Sequence, residues 1–118
     1  MVQKSIDEIA RSAGLYCPAA YRFVYEGLDY TIRNITKEKG HISGQTLCEG
    51  LRRLALNKYG RLAGLVLRSW GLRTTRDFGE IVYILIDNEW MTAQPTDSID
   101  DFNDVYDFQT AFQDPPTL

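Results

Sequence analysis

Residues 61–91 read RLAGLVLRSWGLRTTRDFGEIVYILIDNEWM, and this stretch decides the fold class. Leu62, Ala63, Leu65, Val66, Leu67 and Trp70 make its first half apolar almost all round, the pattern of a central buried helix. Gly71 stands where a glycine just past a helix end belongs, and Leu72 can fold back on Leu67 as in a Schellman ending. Thr74 and Asp77 then make a capping box. The helix they open carries Phe78, Ile81, Val82, Leu85 and Ile86 on one stripe and runs to about Trp90. The result is a helix-turn-helix-like pair over about 61–91.

Working outward, the same signals give further helices, and no strand pattern is convincing. Ser5 and Glu8 cap a short helix to about Ala13, before Gly14. Pro18 suits a first helical position and opens a second helix to about Lys39, with Tyr21, Val24, Tyr25, Leu28, Ile32 and Ile35 on one face. Ser43 caps a third, with Leu47, Leu51, Leu54 and Ala55 inward and Gly60 ending it. Ser98 and Asp101 open a last helix at about 99–112. Gly27, Gly50, Gly64 and Gly79 lie inside helical patterns at a cost of roughly 0.5–1 kcal/mol each, which implies close helix contacts there. The expected fold is mainly α, a compact bundle of four or five helices. One domain covers 1–112, with 113–118 a frayed end.

The 118 residues are 44% hydrophobic and 25% charged, the globular average, which argues against collagen-like, disordered and membrane-spanning classes. The longest apolar run, Ile81 to Ile86, is far short of the roughly 20 residues that cross a bilayer. MVQKSIDEIARSAGLY has the form of neither a secretory signal nor a transit peptide. A cytoplasmic chain with two buried thiols, Cys17 and Cys48, is therefore expected. Asn34-Ile35-Thr36 is then a chance sequon. With no CxxC and one histidine, no zinc site is expected, and no nucleotide fingerprint or other cofactor motif is present.

Three motifs look chemical. Asp77-Phe78-Gly79 spells the kinase metal-binding triplet, but the glycine-rich loop and catalytic loop of a kinase are missing. Asp77 reads instead as a cap, Phe78 as core and Gly79 as a packing position. His41, two residues from Ser43, lacks the strand-to-helix elbow of a hydrolase and reads as a structural contact in a turn. Glu80, on a densely apolar helix, reads as partly buried beside an arginine and orienting rather than catalytic. No catalytic residue is assigned.

Charge is split along the chain. Residues 1–90 hold all 13 bases and ten acids, a net of +3, whereas 91–118 hold six aspartates and no base. A recognition helix in DNA should face phosphate with neutral or basic residues, yet residues 75–90 carry Arg76 against Asp77, Glu80, Asp87 and Glu89. Nucleic acid is thus disfavoured. The basic residues Arg52, Arg53, Lys58 and Arg61 cluster around the third helix, and the acidic tail is rich in aromatics, including Phe102, Tyr106 and Phe108. The tail is expected to dock on its own domain with its aspartates near Arg52, Arg53 and Arg61, and these seven residues form the candidate interaction surface.

HISGQTLCEGLR, WGLRTTRDFGEIVYILI and DSIDDFNDVYDFQTAF, in that order, resemble the Minf family of small uncharacterised bacterial proteins of planctomycete and verrucomicrobial type. The resemblance spans roughly Pro18 to Phe112. It implies no activity, cofactor or catalytic residue, but its motif positions include the tail and so imply that the tail belongs to the domain. The function expected is a protein-interaction or regulatory module with an unknown protein partner or a second copy. A helix-turn-helix-like nucleic-acid binder is the alternative, and an enzyme of unassigned reaction the third.

Overall fold

Helices in this chain begin where a small polar side chain can take an amide that the first turn leaves unpaired. In the computed structural model, which describes residues 3–36 and 42–112, Ser5 accepts from the Glu8 amide at 3.1 Å and opens α1 (Ile6–Ala13). Pro18 opens α2 (Pro18–Thr31) without a side-chain cap. Ser43 accepts from the Thr46 amide and opens α3 (Gly44–Tyr59). A short 3-10 turn, Gly60–Leu62, leads into α4 (Ala63–Ser69), and Asp77 reaches back to the Thr74 amide at 3.0 Å to open α5 (Thr75–Asp87). The tail forms a 3-10 turn, Ile99–Phe102, and one turn of helix, α6 (Phe108–Ala111). There is no strand among the described residues.

α4 ends as its sequence implies. The Leu72 amide donates to the Leu67 carbonyl at 3.0 Å and the Gly71 amide to Arg68 at 2.9 Å, with Gly71 at φ +95°. That is the Schellman pair, and Leu67 and Leu72 are both buried beneath it.

The bundle packs around α3 and α5 and not around α4, a correction to the expectation from apolar content. α5 touches α1, α2, α3 and the 99–102 turn, and buries Phe78, Gly79, Ile81, Val82 and Leu85. α4 buries only Ala63, Gly64 and Leu67, leaving Leu65, like Leu62 in the turn before it, 59% exposed. A two-turn helix has room for one contact face, however apolar its other side.

Two further elements depart from expectation. α2 stops being α-helical at Thr31, and Ile32–Thr36 winds as a π-turn. Side chains compete for the carbonyls there: Thr31 Oγ1 donates to Gly27 at 2.6 Å and Asn34 Nδ2 to Tyr30 at 2.9 Å. The expected continuation to Lys39, and His41, lie outside the described residues, as does 113–118. The single helix expected at 99–112 is instead two turns, because Asn103 is extended and Asp104 left-handed at φ +49°. Cys48 is buried as expected, but Cys17 is exposed.

α2 and α3 cross through reciprocal knobs and glycines. Leu51 lies over Gly27, and Thr31 over Gly50, so each helix presents one side chain to the other's bare backbone. A Cβ on Gly50 would overlap the Thr31 hydroxyl, which is fixed by its bond to Gly27. Alanine improves helix propensity by about 1 kcal/mol, but overpacking costs roughly 1–3 kcal/mol. Gly50→Ala should therefore lower the melting temperature by several degrees. Adding Thr31→Ala removes the colliding atoms and should recover part of the loss; a Gly50→Ala variant as stable as the parent would show that the crossing can open freely.

Candidate functional site

The tail is held by three contacts that differ in kind. Phe102, 4% exposed, sits in a notch made by two glycines: a Cβ at Gly79 would come within 2.8 Å of Phe102 Cβ, and one at Gly44 within 2.9 Å of Cε1. The ring occupies the space that side chains on α3 and α5 would fill. The buried Thr75 hydroxyl then clamps the backbone on either side of the turn, donating to the Phe102 carbonyl at 2.6 Å and accepting from the Val105 amide at 3.1 Å. Finally, Tyr106 donates to the Cys48 carbonyl at 2.8 Å. Phe108 packs between Phe78 and Phe112, with ring centroids at 5.4 and 5.1 Å.

The aromatics placed on the candidate interaction surface are therefore divided. Phe102 and Phe108 are buried and offer nothing to a partner while the tail is docked, and Tyr106 is half-buried. Of the tail aspartates expected near Arg52, Arg53 and Arg61, Asp107 lines the same hollow as Arg52, but among the described residues the ion-pair partner of Arg52 and Arg53 is not a tail aspartate. Glu49, on the same helix, reaches both: Arg52 Nε at 2.7 Å and Arg53 Nε at 3.0 Å. Lys58 pairs with Glu26 across α2 and α3 at 2.8 Å. Within the tail, Asp100 pairs with Arg76 at 2.8 Å. A helical neighbour three or four residues away meets an arginine at little entropic cost, whereas the tail brings its carboxylates from a distance. Arg61 is exposed on the turn before α4.

Of the expected structural polar residues, Asp77 and Glu80 lie within the described residues. Asp77 accepts from the amides of Arg73 at 2.7 Å and Thr74 at 3.0 Å, and from the Tyr16 hydroxyl at 2.6 Å. Its carboxylate is consumed by capping, Phe78 is core, and Gly79 receives Phe102, so the kinase-like triplet is explained by packing. Glu80 is half-buried and pairs with Arg76 at 3.3 Å. Thr75 was not singled out as a site residue from the sequence. Its signal was present, since a hydroxyl on the same apolar stripe as Phe78, Gly79 and Val82 needs a buried partner.

Electrostatics argue against thiol chemistry at Cys48. Burial pushes its thiol up to about 12, so the reactive thiolate is scarce at neutral pH. Burial likewise pushes the Tyr106 phenol above its ordinary value. Tyr16 is raised by burial first and by the hydrogen-bonded Asp77 second. Glu49 is held below the usual carboxylate range by its hydrogen bond to Arg52, with Arg53 assisting against the cost of burial.

Beside Phe102 a cavity of about 60 Å³ is floored by Leu28, Leu47, Val82 and Met91, with Ser43 and Asp101 also in its lining. Pockets for small organic ligands run to roughly 300–1,000 Å³, so this one admits a few waters at most. A more open hollow of about 540 Å³ lies between Arg52, Glu49 and Tyr106. No cluster of three metal-ligating side chains occurs among the described residues. The supposed recognition helix α5 is covered by the bundle on one side and the tail on the other. No helix among the described residues is long and apolar enough to cross a membrane. No family model matches the chain, nor does any curated protein or solved structure.

Two outcomes follow from this geometry. Thr75→Val leaves the Phe102 carbonyl and the Val105 amide without their buried partner, at a cost of about 1–3 kcal/mol. Amide hydrogen exchange should show Val105 losing protection first, and full retention there would refute the clamp. Alkaline pH should also loosen the domain. The ordinary thiol value is 9.0 and the folded Cys48 value about 12, so its contribution is complete below pH 9 and is lost as pH rises toward 12. Each such group adds a slope of about 1.4 kcal/mol per pH unit in that window. Urea midpoints should therefore fall above pH 9, and more shallowly in Cys48→Ala; identical slopes would contradict the burial of that thiol.

Proposed function

We propose that this chain is a cytoplasmic protein-interaction module whose docking face is the outer side of α4. The observation that carries the reading is the pair Leu62 and Leu65. They are the two most exposed large apolar side chains among the described residues, three positions apart, Leu62 closing the 3-10 turn and Leu65 on α4. A single exposed leucine is ordinary, but two adjacent on a ridge give a partner a defined apolar hold. The ridge is also presented rigidly. Ala63, Gly64 and Leu67 anchor its inner side, and the Schellman ending fixes its exit. The two free thiols are consistent with a reducing compartment.

Nucleic-acid binding is the weaker reading, because α5 is covered and Arg52, Arg53, Lys58 and Arg76 are engaged by carboxylates of the same chain. Replacing both ridge leucines, Leu62→Ser with Leu65→Ser, should leave the melting temperature within about 2 °C, since surface changes usually cost under 0.5 kcal/mol. In quantitative affinity capture from the native cell, the proteins retained by the parent should fall at least tenfold with this variant and persist with Tyr25→Ser as the control. Retention that is equal for all three baits would show that α4 is not the docking face.

A further inference from the structure

The ridge on α4 sits in an unusual stretch of charge. Between Glu49 and Asp77 the chain carries seven basic residues and no acid. Four of these, Arg52, Arg53, Lys58 and Arg76, are neutralised by carboxylates supplied from outside the stretch. Arg68 is not: among the described residues it has no carboxylate within ion-pair distance. It lies three positions beyond Leu65, exposed, on the same side of α4.

The neighbouring surface shows which chemistry this helix already accepts. A Cβ on Gly64 would meet the Arg68 guanidinium at 3.0 Å and Phe112 Cβ at 3.3 Å. The bare backbone at Gly64 thus lets the last described residue of an acidic, aromatic segment lie against α4 beside Arg68. The exposed ridge of Leu62, Leu65 and Arg68 continues that contact outward. It is also small. Stable dimers of folded proteins bury about 800 Å² on each partner, far more than two leucines and one arginine present, so a short segment fits where a second copy does not.

Resting on the reading of α4 as a docking face, we infer that its occupant is an acidic, amphipathic segment of another protein. Apolar side chains of that segment lie on Leu62 and Leu65, and a carboxylate meets Arg68. The apolar contact supplies affinity, and the Arg68 guanidinium steers the approach and selects the sign of the partner's charge.

The test uses the full chain and three probes: a fluorescent synthetic peptide with leucine at every third or fourth position and Asp or Glu between, the same peptide with Lys in place of the acids, and vesicles of three parts phosphatidylcholine to one part phosphatidylserine. Only the acidic peptide should bind, with an affinity that drops about tenfold on moving from low to high salt. Arg68→Glu should weaken it at least tenfold and Arg68→Lys far less, both with unchanged melting temperature. Binding of the lysine peptide, vesicle binding without peptide binding, or indifference to Arg68→Glu would overturn the proposal. If the leucine variant loses its captured proteins while the acidic peptide fails to bind, the docking face stands and only the acidic class falls; if neither responds, both fall.

Discussion

One buried hydroxyl joins the two parts of this chain that charge would describe as separate. Thr75 stands at the first position of α5, where its own amide is among those a helix leaves unpaired, and its side chain points into the tail. Donating to Phe102 and accepting from Val105, it uses both halves of what a hydroxyl can do. The same two bonds stop the tail from winding into one helix. A continuous helix would commit the Phe102 carbonyl and the Val105 backbone to its own ladder. With both held by Thr75, the chain turns over at Asn103 and Asp104 and starts again at Asp107, which caps α6 through the Thr110 amide at 3.2 Å. Once that turn is fixed, Phe102 must enter the notch at Gly44 and Gly79, and Tyr106 is delivered to Cys48.

The legible parts of the fold were those that local chemistry decides. Caps at Ser5, Ser43 and Thr74, the glycine ending after α4, and the close approaches at Gly27, Gly50 and Gly79 were all readable, because each needs a particular residue type at a particular offset. What failed was the ranking of elements by apolar content. α4 looks more buried than α5 in composition, yet its length gives it one contact face, while α5 packs against α1, α2, α3 and the tail turn. The tail failed for a related reason. Its spacing of Phe102, Val105 and Tyr106 is helical, but periodicity cannot register a hydroxyl on a distant helix that competes for the same backbone groups.

The candidate site was legible in its residue types and misread in its partners. Arginines and aspartates attract over the whole chain in a simple charge count, but a folded chain pairs those that meet at least entropic cost. Glu49 therefore takes Arg52 and Arg53 within one helix, and Glu26 takes Lys58 at the helix crossing. These exposed pairs contribute little to stability, on the order of 0–1 kcal/mol each. Their effect is chiefly on the surface that remains. They remove the basic face around α3 from competition for an anionic partner.

That redistribution makes α4 distinctive. A charge-split chain could have covered its acid-free stretch with its own aspartates, and the described tail does run alongside it, with Phe112 against Gly64. But the Thr75 clamp spends the tail's anchoring on α5, where Asp100 finds Arg76 and Phe102 finds its notch. The described tail reaches α4 at Phe112, along the flank where a missing side chain lets it approach. Among the described residues the outer ridge is thus left uncovered by the same contact that holds the tail on α5. Its exposed leucines follow from how the described tail is spent, and a partner that uses them need not displace the clamp.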